Sequence, residues 1–274
     1  PEGQPPSLPT MLERVEALKG LDRPLLFLGI AHHFDNGICG HARSIPDFGR
    51  LIISQRRRLW EGFERRDDLG LKVTRALLDV DEQGRDLGGR RVLIDIKHMS
   101  PRSRKELYAE VLEPHLAWWR DQPRDAQEAR PCLPVVASHV AYSGVATLDE
   151  LVSNARLEDD YRHVGPFYAW GLNLSDEDLR MIHASRGLAG IILDSRVSGL
   201  PKGQQVTADR WSRIVLAQLF GMVDVVYQDN RIPPGERAGI WDCLCIGSDY
   251  DGCIQPMTPY PTVLEYEGLF SELR

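Results

Sequence analysis

The stretch VLIDIKHMSPRS, residues 92–103, passes from an apolar run through Lys97 and His98 to the start of a helix. Its first five residues are apolar on both faces except at Asp95, as expected of a parallel strand that helices cover. Ser100 followed by Pro101 is a typical helix entry, because proline is tolerated in the first turn. The stretch therefore predicts a buried strand followed by a helix.

The same alternation recurs along the chain. Apolar runs of strand length occupy residues 25–31, 91–97, 133–138, 188–194 and 243–249, and amphipathic patterns predict helices at 46–63, 102–119, 175–187 and 207–228. Strands and helices in this order, without internal repeats, predict an α/β fold in one domain that spans residues 1–274.

Two segments are longer than the usual connections of such a fold. Residues 79–91 are rich in charge and contain Gly88 and Gly89, which indicates either a hairpin or an exposed loop. Residues 144–171 combine charged and aromatic residues and are predicted to form an elaborated loop that acts as a lid or an interface.

The composition excludes several classes of protein. A net charge of −7 and a pI near 5.7 oppose nucleic-acid binding. No apolar stretch approaches the ~20 residues that span a bilayer, and no signal peptide is visible. Five scattered cysteines are an odd number, which argues against a disulfide framework and favours a reducing compartment, the cytoplasm. Cys243 and Cys245 lie in an apolar run and are predicted to be buried residues rather than metal ligands.

Titratable side chains stand where the predicted strands end. His32, His98, His139 and Asp249 have this position, and Asp194 has it on the remaining strand. By strand alternation, the first four share a face with the apolar residues beneath them, so that they would all point into the mouth of a (β/α)8 barrel. Imidazole and carboxylate groups are ligands that zinc uses, with one position left for a water molecule.

Other interpretations of these residues stay open. A single histidine at a strand end is more often structural, and His33 and His41 are compatible with loop positions. Asp251 fits a turn before Gly252, and Asp194 could cap the following loop. Lys97 competes as a Schiff-base lysine, but alternation predicts that it turns away from His98 towards Asp95.

Six blocks of the sequence, taken in order, resemble the membrane dipeptidase family of the amidohydrolase superfamily. They are LFLGIAHHFDNGICG, SIPDFGRLI, VLIDIKHMSPRS, PVVASHVAYS, LNLSDEDLRMI and CIGSDYDG, and they span most of residues 25–270. The resemblance implies a (β/α)8 TIM barrel of the metal-dependent hydrolase type, with one or two zinc ions, that cleaves the amide bond of a small peptide.

The resemblance also implies roles for individual residues. His98 and His139 would bind zinc, and Glu2, which precedes Gly3 as in the family, would bridge the metals. Asp249 would handle protons, His32 would contact the substrate or its tetrahedral intermediate, and the block that contains Asn173 would also line the substrate site.

The chain departs from the family pattern in several places. No H-x-D precedes residue 25, Leu172 replaces an arginine that grips the substrate carboxylate, and Lys97 replaces a small residue. Five strands also cannot close an eight-stranded barrel. The departures favour an N-acylated or otherwise altered amide as substrate. They also support a second hypothesis, a catalytically impaired barrel that serves as a binding or structural module. Whether the chain forms a homo-oligomer is left open.

Overall fold

A computed structural model describes residues 7–44, 57–156, 163–199, 207–252 and 254–274. The chain divides into two compact units, Pro1–Val136 and Ala137–Arg274.

Among its described residues, the first unit combines five α-helices with short parallel strands. The helices are α1 Leu8–Lys19, α2 Leu69–Leu78, α3 Pro101–Leu107, α4 Glu113–Arg120 and α5 Arg124–Ala129, and a π-helical turn, Tyr108–Leu112, joins α3 to α4. The strands are β1 Phe27–Gly29 and β2 Leu93–Asp95. These two strands are parallel, and Asp95 pairs with Val136, the first residue of β3, Val136–Val140.

The opening stretch of the sequence folds as predicted, into a strand followed by a helix. Ser100 caps α3, because its hydroxyl accepts a hydrogen bond from the Ser103 backbone N–H, and Pro101 occupies the first turn. The helix predicted at 46–63 is wrong where the structure describes it. Residues 57–63 form turns and isolated bridges, and residues 45–56 lie outside the described residues.

The segment 79–91 forms a hairpin-like turn, which decides between the two predicted alternatives. Val80 pairs with Asp86 in an antiparallel bridge. The Asp81 carboxylate accepts hydrogen bonds from the backbone N–H groups of Gln83 and Arg85 at 2.9 and 2.8 Å. The bridge residue Asp86, whose side chain is 5% exposed, pairs with Arg91 and Arg130, so that charge as well as backbone pairing holds the segment in place.

Where the structure describes it, the second unit has four α-helices and four short strands besides most of β3. The helices are α6 Leu148–Arg156, α7 Asp176–Ala184, α8 Ala208–Tyr227 and α9 Tyr266–Glu272. The strands are β4 His163–Val164, β5 Phe167–Tyr168, β6 Leu188–Ile191 and β7 Leu244–Ile246. Strands β6 and β7 are parallel, and the Ile192 N–H donates to the Val140 carbonyl, which places β3 beside β6.

Local sequence signals explain the second unit. Ser175 and Asp178 form a capping box at the start of α7, as the sequence predicts for Ser175. Helix α8 begins after Thr207, also as predicted. The elaborated loop predicted at 144–171 contains α6 and the β4–β5 hairpin, and its residues 157–162 lie outside the described residues. A buried cluster that includes Leu193, Trp211 and Met257 packs this unit.

The predicted α/β class with parallel strands is confirmed. Each of the five predicted apolar runs overlaps a strand, β1, β2, β3, β6 or β7, and every strand is shorter than its run. β3 extends two residues beyond its predicted end at 138, so that His139 lies inside it. Closure into an eight-stranded barrel stays a prediction. Over the ranges that the structure describes, no helix has the length and apolar character needed to cross a membrane.

Candidate functional site

His98 lies in a turn after β2 rather than in the strand. The strand ends at Asp95, and the Met99 N–H donates to the Ile96 carbonyl at 3.1 Å to close the turn. His98 has a φ of 66°, which is uncommon for a residue other than glycine. The His98 carbonyl accepts a hydrogen bond from the Ala42 N–H at 2.8 Å. This bond attaches the turn to the segment that follows β1. The side chain is buried.

Three imidazoles meet in the first unit. The ring centroid of His98 lies 4.4 Å from that of His32 and 5.2 Å from that of His33, and the His32 and His33 rings are 3.9 Å apart. His33 Nδ1 lies 2.6 Å from Ser44 Oγ, within hydrogen-bond distance. The structure therefore brings together two predicted site residues, His32 and His98, with a third histidine.

His33 is the third member of this cluster, although its sequence position is also compatible with a loop residue. Burial is the main cause that lowers the pKa of His33, to about 4, and neighbouring His32 adds to the effect. His33 is therefore neutral near pH 7 and can act as a hydrogen-bonding group. The doublet His32-His33 directly after an apolar strand was the available signal. His41 is different, because its two ring nitrogens lie 3.2 and 3.1 Å from the carbonyls of Ala42 and Arg57.

Lys97 is buried beside this cluster. Its backbone N–H donates to Asp95 Oδ1 at 3.0 Å, and its charge contributes to the lowered pKa of His33. The predicted orientation of Lys97 relied on strand alternation. That reasoning fails here, because β2 ends at Asp95 and the following residues turn.

In the second unit, His139 and Asp249 come together. His139 lies inside β3, and its Nδ1 is 2.7 Å from Ser138 Oγ. His139 Nε2 lies 3.7 Å from Asp249 Oδ2, and both side chains are partly accessible to solvent. An imidazole and a carboxylate at this separation can exchange a proton through a small shift or one water molecule.

Asp249 follows β7 in the same way that His98 follows β2. The strand ends at Ile246, and Asp249 has a φ of 57°. The Gly252 N–H donates to the Asp249 carbonyl at 2.9 Å. A Cβ atom on Gly252 would lie 2.4 Å from the Asp249 carboxylate, so that glycine leaves room for this side chain. Asp251 lies in the same turn, as predicted.

Asp194 caps the loop after β6, one of its two predicted roles. It is buried and accepts hydrogen bonds from the Arg196 backbone N–H and guanidinium at 2.8 and 3.0 Å. Asn173 is also buried, and its amide donates to the carbonyls of Tyr168 and Val197 at 3.0 and 3.3 Å. These contacts give Asn173 a structural role, and its predicted contact with substrate stays a prediction.

The side chains of the site determine whether the predicted zinc could bind. Imidazole and carboxylate are suitable zinc ligands, and His33 offers a neutral nitrogen. However, within the described parts of the chain no group of three or more His, Cys, Asp or Glu side chains is arranged to hold a metal ion. The predicted ligand Glu2 lies outside the described residues. The described residues do not by themselves fit a zinc centre.

Three of the four cysteines that the structure describes, Cys39, Cys132 and Cys243, are buried. Burial raises the pKa of Cys243 to about 11, and its Sγ lies 3.4 Å from the Gly239 carbonyl. The prediction that this residue is buried is confirmed, and Cys245 is partly buried. The four cysteines that the structure describes form no disulfide bond, and Cys253 lies outside the described residues.

Comparison with known proteins gives limited similarity. No protein-family model matches the sequence, and no curated protein matches it. Among solved structures, the chain is similar to the probable dipeptidase PvdM from Pseudomonas aeruginosa, with 15% sequence identity and a TM-score of 0.40. The match covers 96% of this chain and 44% of PvdM, so that the chain spans less than half of that protein's length.

Proposed function

We propose that the protein hydrolyses an amide or peptide bond in a small substrate, with Asp249 and His139 as its proton-transfer pair. Asp249 would accept a proton from the attacking water molecule and return it to the leaving amine. In this step the carbonyl carbon forms a bond to the water oxygen, and its bond to nitrogen breaks. His139 would orient the carboxylate of Asp249 and share its proton.

The observation that carries the proposal is the approach of His139 Nε2 to Asp249 Oδ2 at 3.7 Å, between side chains that solvent can reach. The backbone of two predicted site residues accompanies it. His98 and Asp249 each follow the end of a strand by three residues, and each has a left-handed backbone conformation. This conformation costs a residue with a Cβ atom about 1–2 kcal/mol. Such costs persist where the surrounding structure imposes them. Six other described residues that are not glycine share this conformation, so that it supports the proposal only beside the contact of His139 with Asp249.

The first-unit histidines are assigned through the sequence resemblance alone. In that assignment His32 stabilises the developing oxyanion, and His98 is a zinc ligand. The same resemblance makes His139 and Glu2 zinc ligands, and for His139 that role would replace the sharing of a proton with Asp249. Zinc stays a proposal with its own test, which is the metal content of the purified protein. Stoichiometric zinc that His139→Ala removes would support it, and metal-free protein with full hydrolase activity would contradict it.

Hydrolysis of a panel of dipeptides and N-acyl amino acids tests the proposed function. We expect at least one substrate to be cleaved, and we expect Asp249→Asn to lower kcat/KM by about 10²–10⁴-fold, because the carboxylate base is lost. Asp251→Asn is the matched control, since Asp251 lies in the same turn and should leave the rate unchanged.

Two results would contradict the proposal. One is a panel without cleavage by correctly folded protein, which would favour the second candidate, a binding or structural module. The observation that favours this candidate is the lack of a three-ligand metal group within the described ranges. The other is equal activity in Asp249→Asn and Asp251→Asn.

A further inference from the structure

A cleft of about 500 Å³ lies in the second unit, lined by residues that the proposed hydrolysis does not use. One wall carries the aromatic rings of Tyr142 and Phe167. Five charged side chains also line it, namely Asp176, Asp224, Asp229, Arg180 and Arg231. Its volume is within the range of small-molecule sites, ~300–1,000 Å³.

The two arginines of the cleft are neutralised by neighbouring carboxylates. Arg231 donates through Nε and Nη2 to Asp229 at 2.9 and 2.5 Å. Arg180 Nε lies 2.7 Å from the same carboxylate, and Arg180 Nη2 donates to Asp176 at 3.3 Å. These pairs hold the pKa of Asp229 well below its usual range, with the Arg231 hydrogen bonds as the largest cause. The arginines are therefore poor anchors for an anionic ligand.

Asp224 differs from the other two carboxylates of the cleft because it does not pair with an arginine of the cleft. Within the described ranges, no hydrogen bond or ion pair involves its side chain, which is exposed on α8. Its negative charge acts on Tyr142, whose pKa is raised chiefly by burial and by the hydrogen bond to Asp176. With two arginines against three carboxylates, the cleft has an excess of one negative charge, and Asp224 carries it.

Tyr142 and Phe167, the aromatic wall of the cleft, pack against α8 at Gly221. The Tyr142 and Phe167 rings pack edge to face with centroids 4.7 Å apart. A Cβ atom on Gly221 would lie 2.7 Å from Phe167 and 2.8 Å from Tyr142, so that only glycine lets the rings approach the helix this closely. Asp224 is three residues further along α8, on the neighbouring part of the same helix face. The carboxylate and the aromatic pair therefore border one space.

We propose that this cleft binds a small organic cation, an alkylammonium group whose charge pairs with Asp224 and whose hydrocarbon part packs against Tyr142 and Phe167. The carboxylate supplies the counter-charge, and the aromatic pair supplies apolar surface for the hydrocarbon part, which is the usual division of roles in small-molecule sites. The site is separate from the Asp249 and His139 chemistry and does not depend on it.

Titration of the full chain with n-butylammonium and with butyrate, followed by saturation-transfer NMR, tests the proposal. We expect n-butylammonium to bind, butyrate to give no saturation transfer, and added salt to weaken the binding. Asp224→Asn should raise the Kd about two- to fivefold, since the charge is lost while the shape is kept. Phe167→Leu should raise it about two- to fivefold.

Two variants serve as controls. Asp209→Asn removes another exposed carboxylate of α8 and should leave the Kd unchanged, whereas Asp224→Glu should retain binding because it keeps the charge. The proposal is overturned if butyrate binds as well as n-butylammonium, if Asp224→Asn binds like the parent chain, or if neither probe shows saturation transfer.

Discussion

Strands β2 and β3 position His98 and His139 in different ways. His139 lies within β3, so that strand alternation applies to it directly. His98 lies three residues beyond the end of β2, in a turn with left-handed backbone, and Asp249 lies three residues beyond the end of β7 in the same conformation. Strand alternation therefore predicts the direction of a side chain only within a strand. Beyond the strand end, the backbone conformation of the turn decides.

The close packing of strands beside His139 is most sensitive to a substitution at Gly190 of β6. A Cβ atom there would lie 2.2 Å from the Ser138 carbonyl oxygen, next to His139, and 2.9 Å from the Cα atom of Gly247. Because backbone atoms cannot move away cheaply, Gly190→Ala should lower the free energy of unfolding by about 1–3 kcal/mol. Denaturant titration followed by circular dichroism measures the change.

Gly268→Ala is the matched control for this variant. Gly268 lies within α9. Apart from the backbone of this helix, no heavy atom of the described residues would lie within 4 Å of a Cβ atom added to Gly268. Alanine should stabilise the helix by about 0.5–1 kcal/mol. If Gly190→Ala were as stable as Gly268→Ala, the close strand packing beside His139 would be wrong.

Glycine and alanine variants at His98 test whether the turn after β2 has a left-handed backbone. Both variants lose the imidazole, so that their difference isolates the backbone. With φ at 66°, His98→Gly should be more stable than His98→Ala by about 1 kcal/mol, because glycine adopts this conformation without a steric cost. Thermal or chemical unfolding of the two proteins gives the difference directly.

The same pair of variants at His139 should give the opposite and smaller result. In the extended backbone of β3, His139→Gly should be less stable than His139→Ala by about 0.5–1 kcal/mol, because glycine loses more conformational entropy on folding. The same sign at both positions would contradict the distinction between strand and turn.

The elements of the fold were largely predictable from the sequence. Parallel strands buried on both faces leave continuous apolar runs, and these runs located β1, β2, β3, β6 and β7. Ser100 and Ser175 marked helix starts because their side chains bind backbone N–H groups. The helix at 46–63 was predicted from apolar spacing, but residues 57–63 pair with the loop after β1 instead, and such long-range pairing leaves no local signal.

The candidate site was predictable only in part. The residues at strand ends were identified, and the structure joins His32 to His98 and His139 to Asp249. The part played by His33 was missed, because its place depends on the packing of Ser44 and His98 around it. The left-handed conformations of His98 and Asp249 were also missed. Both residue types tolerate this conformation, but neither requires it.

A double-mutant cycle on the best substrate of the hydrolysis panel tests the central claim, that His139 and Asp249 act as one proton-transfer unit. If they do, His139→Ala and Asp249→Asn each lower kcat/KM strongly, and the double variant stays within about threefold of the slower single variant. If the two losses multiply, or if either single variant keeps the parent rate, the pair does not act as a unit and the claim is wrong.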